Sequence, residues 1–343
     1  MIYRSKAPFR IGLAGGGTDV SPYSDLYGGA ILNATISLFA HASIELLQEE
    51  KVEFYSVDQN KRISFLFDEN HIPEPGLDLQ YGIYHRLKQM NVLPKHGFRL
   101  TTAMDVPAGS GLGTSSTLVV AILKVFSEWL NLPFGDYDLA HLAYEIERKD
   151  LGLAGGKQDQ YAATFGGFNF MEFMAEDQVI VNPLRIRQEL IRELENNVIL
   201  YFTSSSRQSS EIIKEQQKNV EQKKDSSLDA MHQLKDQAKQ MKDALLKGNL
   251  HQIGTILDYG FMQKRKIANN VSNAYLDNLY ETAKKAGATG GKISGAGGGG
   301  FMFFYCPRNS RHEVIKQLNS LDGYTMNYQF TDFGVQSWKS QKS

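Results

Sequence analysis

Short stretches in which apolar and polar residues alternate dominate the first hundred positions of the chain. Three of them, residues 41–47, 51–57 and 62–67, predict β-strands, because alternation at every second residue turns one apolar face toward a core. The polar residues between the last two predict a turn. A helix is predicted over 77–91 and a further strand over 97–104, so this part of the chain is expected to be rich in sheet.

Next, a glycine-rich stretch runs directly into an apolar sequence. Three glycines fall within five positions at 109–113, and the spacing of apolar residues then predicts a helix over 115–130. Thr114 or Ser115 is the expected N-cap, since either hydroxyl can accept a hydrogen bond from a free N–H of the first turn. A second helix is predicted over 136–149, and a glycine loop, a short helix and a strand follow between 151 and 173.

The pattern changes near residue 185 from strand-rich to helix-rich. A buried strand is predicted over 197–203, and helices dominate 209–286. One helix carries an apolar stripe at spacings of three and four, formed by Met231, Leu234, Ala238, Met241 and Leu245. The chain then reads strand, helix, strand. These changes predict two domains, 1–185 and 186–343.

The composition restricts the functions that the chain can have. Its 343 residues carry a formal net charge of −1, which leaves no basic field for a nucleic acid backbone. A single cysteine, Cys306, excludes an internal disulfide, and no Cys/His cluster indicates zinc. The start of the chain lacks a signal-peptide pattern, and no window reaches the roughly 20 apolar residues of a membrane span. We expect a cytoplasmic protein, monomer or homodimer, that binds neither nucleic acid nor membrane.

The glycine loop at 108–116 has the features of an anion site. Free N–H groups at a helix N-terminus favour phosphate, and the hydroxyls of Thr114, Ser115 and Ser116 suit a hard cation such as Mg²⁺. The loop is not a common P-loop, because Thr114 stands where that motif has lysine, and its GxGxG spacing differs from the dinucleotide-binding GxGxxG. From these residues alone, a structural turn explains the loop equally well.

Two other regions are also rich in glycine. Residues 10–20 combine consecutive glycines with Asp19, an acceptor suited to sugar hydroxyls. From these residues alone, a strand followed by a turn capped by Thr18 or Asp19 is the favoured interpretation. Residues 290–300 hold seven glycines in eleven positions, ahead of an apolar strand. That density indicates close backbone packing or a bound anion, since each glycine costs backbone entropy.

Two carboxylates in the middle of the chain are candidates for acid–base or metal chemistry. Asp159 follows a glycine loop, with Lys157 near enough to lower its pKa or to form an ordinary ion pair. Glu147 lies on the preceding predicted helix, where an exposed pair with Arg148 or Lys149 is the simpler interpretation. Neither residue alone identifies a function.

In order and content, the three glycine regions resemble the motifs of the GHMP kinases, the family of galactokinase, homoserine kinase, mevalonate kinase and phosphomevalonate kinase. The matching stretches are APFRIGLAGGGTD, PAGSGLGTSST and KISGAGGGGFMFF, and the resemblance spans residues 4–304. It implies an α+β fold of two lobes, a ribosomal-protein-S5-like N-terminal lobe and a ferredoxin-like C-terminal α/β lobe. It also implies an active site in the cleft between the lobes, with ATP and Mg²⁺.

Within that family, AGGGTD, GGAILNATI and GGKQDQYAATFGGFNF are similar to D-glycero-D-manno-heptose 7-phosphate kinases. These enzymes make heptose 1,7-bisphosphate for the nucleotide-activated heptose of bacterial surface glycans. The kinase part of L-fucokinase is also similar, so an L-fucose or other hexose 1-kinase is an alternative. Galactokinases have Glu-His where this chain has Gly16 and Gly17, which argues against galactose. A catalytically inactive sugar or nucleotide sensor is an alternative of another class.

The resemblance also implies roles for individual residues. Asp159 matches the acidic residue that faces the sugar hydroxyl, as a base or an orienting group, and Arg10 matches the basic residue beside it. Ser115 and Glu147 match the Mg²⁺ ligands, with Glu145 as an alternative to the latter. The expected ATP-binding residues are Pro107, Ala108, Gly109, Ser110, Gly111, Leu112, Gly113, Thr114, Ser115 and Ser116. The expected substrate-binding residues are Gly16, Gly17, Thr18, Asp19, Gly156, Arg207, Gly297 and Gly298.

A phosphorylated acceptor also needs cations for its own phosphate, preferably the two-pronged guanidinium of an arginine. Arg207, in a serine-rich stretch after the predicted strand 197–203, is the preferred candidate. Lys292 and Lys6 are the other candidates. For each of the three, a solvated side chain is the more usual explanation.

Overall fold

The alternating segments of the first half pair into one large sheet. In the computed structural model, which describes residues 1–67, 74–204 and 209–341, this sheet has eight strands. They are β1 (Ile2–Ala14), β2 (Gly29–Leu46), β3 (Lys51–Ser56), β4 (Lys61–Leu66), β5 (Phe98–Met104), β6 (Phe168–Phe173), β7 (Val179–Pro183) and β12 (Gln336–Ser340). Their order is β12-β1-β2-β5-β3-β4, and β6 and β7 extend it from β2.

The long strand β2 joins the two parts of this sheet. Its residues 40–46 pair with β5, and its residues 29–34 pair with β6. Only β3 and β5 run parallel among these strands; the other pairs are antiparallel. The first glycine region lies between the last residue of β1 and the first residue of β2. Because the start of β2 pairs with β6, this region lies close to the loops around β6.

A second sheet belongs to the other half of the chain. It contains β8 (Val198–Phe202), β9 (Gly290–Ile293), β10 (Phe301–Tyr305) and β11 (Tyr324–Met326) in the order β11-β8-β10-β9, all antiparallel. Every residue of β8 is buried, as the apolar run at 197–203 predicted. The connection between β9 and β10 is the third glycine region, so its position is set by two buried strands.

Helices surround both sheets. In the first half they are α1 (Tyr23–Tyr27), α2 (Asp78–Gln89), α3 (Thr114–Leu130), α4 (Asp136–Tyr144) and α5 (Gln158–Phe165). In the second half they are α6 (Gln188–Asn197), α7 (Ser209–Glu221), α8 (Asp225–Lys247), α9 (Ile253–Ile267), α10 (Ala274–Lys285) and α11 (Arg311–Leu318). A short 3-10 turn, Leu250–Gln252, separates α8 from α9.

The helix α8 connects the two halves through its apolar face. Its predicted stripe is buried at all five positions, Met231, Leu234, Ala238, Met241 and Leu245. The helix packs against α9 and also against β1 and β2 of the first sheet. Burial of this face stabilises the contact between the halves, because each Å² of apolar surface removed from water contributes about 25 cal/mol.

Two helix boundaries differ from the prediction. The expected N-cap, Thr114 or Ser115, is wrong: α3 begins at Thr114, its N-cap is Gly113 with a φ of 77°, and no side chain caps the helix. A Cβ atom on Gly113 would lie 2.9 Å from Cγ of Asp159, so the close approach of that carboxylate excludes a capping hydroxyl here.

The second helix also departs from the prediction. The α-helix over 136–149 ends at Tyr144, and a π-helix, Glu145–Asp150, continues it. The N–H of Leu151 bonds to the carbonyl of Ile146 five residues earlier, at 3.0 Å. Such widened turns are frequent at functional sites.

The last strand, β12, was not predicted, because its five residues are polar or exposed and give no clear alternation. It pairs with β1 and so returns the end of the chain to the first sheet. The division into domains 1–185 and 186–343 stays a prediction, and β12 is the element that crosses it. None of the helices in the described ranges is long and apolar enough to span a membrane.

Candidate active site

The three glycine regions meet at one cleft of about 540 Å³ between the two halves of the chain. The end of β1, the loop before α3 and the π-helix line one side of it. Side chains from α7 and α9 and the β9–β10 loop line the other side. The fold therefore brings together residues that are almost 300 positions apart in the sequence.

An ion pair between Arg10 and Asp159 lies on this cleft. Nε and Nη2 of Arg10 each lie 2.7 Å from Oδ1 of Asp159. The guanidinium also donates to the carbonyl of Gly111 at 2.8 Å, which holds it against the glycine loop. The Arg10 side chain is 3% exposed and that of Asp159 is 19% exposed, so the arginine is buried while the carboxylate remains accessible from the cleft.

In the loop before α3, backbone carbonyl groups are hydrogen-bonded to other parts of the protein. The carbonyl of Ser110 accepts from the N–H of Phe301 at 2.8 Å, and that of Gly111 accepts from Ser294 Oγ at 2.9 Å. By contrast, no backbone N–H from 108 to 116 donates to another residue in the described ranges. Free N–H groups at the start of a long helix are the arrangement that binds phosphate oxygens.

The third glycine region packs backbone against backbone on this loop. A Cβ atom on Gly295 would lie 2.8 Å from Cα of Gly111, and one on Gly300 would lie 2.3 Å from the carbonyl oxygen of Ser110. Close packing thus explains glycine at both positions, the first of the two explanations that the sequence allowed. It also fixes the position of the loop from the second half of the chain.

Glu147 occupies the side of the cleft next to α3. Its Oε2 accepts from Ser116 Oγ at 2.6 Å and from Gln160 Nε2 at 2.7 Å, and its Oε1 lies 3.2 Å from Nη1 of Arg148. The carboxylate is 1% exposed, so the exposed ion pair expected from sequence is wrong: this is a buried network. Gln160 was not singled out from the sequence.

The residues present fit a Mg²⁺ ion bound with a nucleotide. Ser115 and Glu147 both line the cleft, whereas Glu145 pairs outside it with Arg86 and Lys149. A carboxylate offers about four acceptor positions and Glu147 uses three, which leaves one for a cation that takes its other ligands from phosphates and water. Among the described residues, no group of three or more His, Cys, Asp or Glu is placed to hold a metal.

Asp19 lies beside the loop before α5. It is 2% exposed, and its Oδ2 accepts from the N–H of Gln158 at 3.1 Å. Burial raises the pKa of Asp19, the Gln158 hydrogen bond opposes this, and the negative charge of Asp159 adds to the increase. A Cβ atom on Gly156 would overlap the Asp19 carboxylate, so glycine is required at this contact.

Two buried lysines from the second half complete the cleft. Lys264 on α9 and Lys292 on β9 are 4% and 5% exposed, and both side chains reach the cleft. Burial lowers the pKa of Lys264 to about 8, and lowers that of Lys292 well below its usual value. Lys264 was missed from the sequence, although it continues the buried stripe of Leu257, Gly260 and Phe261 at helical spacing, an unusual place for a lysine.

The cleft contains most, but not all, of the expected site residues. Those that line it are Arg10, Gly16, Gly17, Asp19, Ala108, Gly109, Gly111, Gly113, Thr114, Ser115, Ser116, Glu147, Gly156, Asp159 and Gly297. Those that do not line it are Thr18, Pro107, Ser110, Leu112 and Gly298. The roles assigned to all of these residues remain predictions.

The five residues outside the cleft have structural surroundings instead. Thr18 is fully buried, and its hydroxyl bonds to the backbone of Gly15 and Ala30. Ser110 and Leu112 are fully buried, and Pro107 is exposed. The N–H of Gly298 bonds to the carbonyl of Val271 at 2.9 Å.

Three other basic residues were considered from the sequence, and the structure describes two of them. Lys157 does not pair with Asp159: it is buried and lies 3.3 Å from Asp25 and 3.0 Å from Asp177. Lys6 lies over the rings of Phe39 and Phe333, away from the cleft. Arg207, the preferred candidate for the acceptor phosphate, falls outside the described residues.

Comparison with known proteins identifies the family. Residues 78–167 match the GHMP kinases N terminal domain, and residues 241–322 match the GHMP kinases C terminal domain. A D-glycero-alpha-D-manno-heptose 7-phosphate kinase of Campylobacter jejuni is 46% identical over 336 residues, which cover 98% of each chain. The chain belongs to the GHMP kinases.

Solved structures agree with this assignment. A D-glycero-D-manno-heptose 1-phosphate kinase from Bacteroides thetaiotaomicron superposes with a TM-score of 0.83 at 46% identity, covering 99% of this chain and 100% of that one. A putative sugar kinase from Campylobacter jejuni gives a TM-score of 0.81 at 46% identity, covering 98% of each chain. The predictions of a GHMP kinase, of its two-lobed fold and of a phosphoryl-transferring enzyme are therefore confirmed.

Proposed function

We propose that this GHMP kinase transfers the γ-phosphoryl group of ATP to the anomeric hydroxyl of D-glycero-D-manno-heptose 7-phosphate. The products are heptose 1,7-bisphosphate and ADP, the former for nucleotide-activated heptose and surface glycan synthesis. The observation that carries the proposal is the accessible Asp159 carboxylate, held by Arg10 beside the glycine loop. The acceptor is supported by the relative at 46% identity that is named a D-glycero-alpha-D-manno-heptose 7-phosphate kinase.

The side chains of the cleft suggest how the reaction proceeds. The N–H groups of 108–116 bind the triphosphate, and Asp159 accepts a hydrogen bond from the anomeric hydroxyl and so aims its oxygen at the γ-phosphorus. The new O–P bond forms as the bond to the ADP oxygen breaks, in line and without a phosphoenzyme, and the hydroxyl gives up its proton to Asp159 or to solvent. Arg10 holds the Asp159 carboxylate in place and stabilises the negative charge of the transferred phosphoryl group. Phosphoryl transfer depends mainly on such positioning and charge stabilisation.

Ser115 and Glu147 are the residues that would hold Mg²⁺, which neutralises charge on the phosphates. The network of Ser116, Gln160 and Arg148 around Glu147 fixes that carboxylate before any ligand binds. Asp19 lines the same cleft, next to Gly156, where it can accept hydrogen bonds from sugar hydroxyls.

Two alternatives are less well supported. An L-fucose-type or other hexose 1-kinase has no use for the two buried lysines of the cleft, because an uncharged sugar offers them no counter-charge. A catalytically inactive sensor needs nucleotide and sugar contacts but not an arginine-held carboxylate at their junction. The pair of Arg10 and Asp159 therefore favours an active kinase.

The test is an acceptor panel under identical conditions. ADP release is followed with Mg·ATP and, separately, D-glycero-D-manno-heptose 7-phosphate, L-fucose, galactose and mannose, with an acceptor-free reaction as the blank. We expect turnover far above the blank with the heptose 7-phosphate only. Turnover with an unphosphorylated hexose alone would contradict the acceptor assignment, and ATP binding without turnover on any acceptor would favour the sensor.

A further inference from the structure

The ammonium groups of the two cleft lysines both lie close to Gly16. A Cβ atom built on Gly16 would lie 3.8 Å from Nζ of Lys264 and 3.8 Å from Nζ of Lys292, with no closer neighbour. The two ammonium groups come from different elements, α9 and β9, and converge on one point of the cleft. Glycine at position 16 keeps that point free of protein atoms.

These lysines are poorly neutralised by the protein. Lys292 donates to the carbonyl of Gly12 at 2.9 Å, and Lys264 has no hydrogen-bond partner among the described residues. The nearest acidic groups that act on Lys264 are Asp19 and Asp159, and both already bond to other groups, Gln158 and Arg10. A buried ammonium group without a counter-ion is costly, so such a pair is expected where a ligand supplies the negative charge.

The surroundings of Lys264 and Lys292 differ from those of the residues expected to bind the nucleotide and its Mg²⁺. Burial is the main cause that lowers the pKa of both lysines; the charges of Asp19, Arg10 and Asp159 also act on Lys264, and those of Lys264 and Arg10 act on Lys292. The buried network of Glu147, by contrast, lies with Ser116 at the start of α3. The lysines thus group with Gly16, Asp19 and the Arg10–Asp159 pair, the residues expected to contact the acceptor.

We propose that Lys264 and Lys292 bind the phosphate that the acceptor already carries, with its oxygens above Gly16. This assignment rests on the proposed function, because it requires a phosphorylated acceptor. It gives the remote phosphate a site made of described residues, independent of Arg207. The other phosphate that could reach the lysines is the γ-phosphate of ATP, and the experiments distinguish the two.

The first experiment compares two acceptors with and without the phosphate. Binding of D-glycero-D-manno-heptose 7-phosphate and of unphosphorylated D-glycero-D-manno-heptose is measured by calorimetry, with the nucleotide site filled by a non-hydrolysable Mg·ATP analogue. Wild type is compared with Lys264→Met and Lys292→Met, and with Lys266→Met, an exposed lysine on the same helix, as the matched control. Thermal melting checks that each variant is folded.

We expect each cleft variant to weaken binding of the 7-phosphate by about tenfold or more, as for a lost charge-assisted hydrogen bond, and to leave binding of the unphosphorylated heptose nearly unchanged. Lys264→Arg should recover part of the loss, and Lys266→Met should behave as wild type. Equal losses for both acceptors, or a loss of affinity for the ATP analogue alone, would overturn the proposal and place the lysines at the sugar ring or the γ-phosphate.

The second experiment does not depend on the identity of the sugar. Inorganic phosphate is added to the protein saturated with the same Mg·ATP analogue, and broadening of its ³¹P resonance reports binding. Broadening in wild type and Lys266→Met that is lost in Lys264→Met supports the site even if the heptose assignment fails. Equal broadening in all three proteins, or none in wild type, contradicts the site while the acceptor panel still tests the proposed function.

Discussion

The substitution Asp159→Asn separates the chemical step from nucleotide binding. The amide has nearly the shape of the carboxylate, so it fits beside Gly113, where a Cβ atom would already lie 2.9 Å from Asp159 Cγ. The change removes the charge that Arg10 holds at 2.7 Å and the strong acceptor for the anomeric hydroxyl. The free N–H groups of 108–116, Ser115 and Glu147 are untouched.

The expected magnitudes follow from this geometry. Loss of a positioned acid–base or orienting group lowers turnover by about 10²- to 10⁴-fold, roughly 3–5 kcal/mol of transition-state stabilisation. Breaking a fully buried ion pair costs about 3–5 kcal/mol of stability. Here the loss is expected to be roughly 1–3 kcal/mol, because Asp159 is 19% exposed and Arg10 keeps its bond to the Gly111 carbonyl.

The assay measures three quantities on the same preparation: kcat with the heptose 7-phosphate, the Kd for Mg·ATP, and the midpoint of denaturant unfolding. Asp229→Asn, an exposed aspartate on α8, is the control for removal of one negative charge. We predict a large fall in kcat with an ATP affinity within about twofold of wild type. A folded variant that has lost ATP binding, or one that keeps more than a tenth of wild-type turnover, would refute the role of Asp159.

Three further predictions use other parts of the cleft. Gly113→Ala should lower kcat, since a methyl group displaces Asp159 and a φ of 77° disfavours alanine; unchanged steady-state kinetics would contradict this. Glu147→Gln should raise the Mg²⁺ concentration needed for half-maximal rate, and an unchanged metal titration would remove Glu147 from the metal site. Lys264, whose pKa burial lowers to about 8, loses its ammonium charge above that pH, so the acceptor KM should rise there in wild type but not in Lys264→Met; identical pH profiles would exclude this titration.

The elements that could be predicted from the sequence are those whose pattern is local. Residues 51–57 alternate because β3 has one face on the core, and the α8 stripe is apolar because that face packs on α9 and the first sheet. The motifs around Arg10 and Asp159 were recognisable as a set, and the fold brings these two residues into contact. Local pattern and family motif were sufficient at these positions.

The rest depends on contacts between distant segments. Gly113 replaces a hydroxyl N-cap because the Asp159 side chain, from the first turn of α5, occupies the space. Thr18 stays out of the cleft because backbone groups of Gly15 and Ala30 bind its hydroxyl. Lys264 reaches the cleft only because α9 packs with its apolar face inward, and no spacing rule gives the direction in which a buried lysine points.

The product of the reaction tests the account most directly. The protein is incubated with Mg·ATP and D-glycero-D-manno-heptose 7-phosphate, and the ³¹P spectrum is recorded with correlation to the sugar protons. We predict a new phosphate resonance coupled to the anomeric proton, together with ADP, while the original 7-phosphate signal remains. A new phosphate on any other carbon, or ATP consumption without a new sugar phosphate, would contradict the proposed 1-kinase.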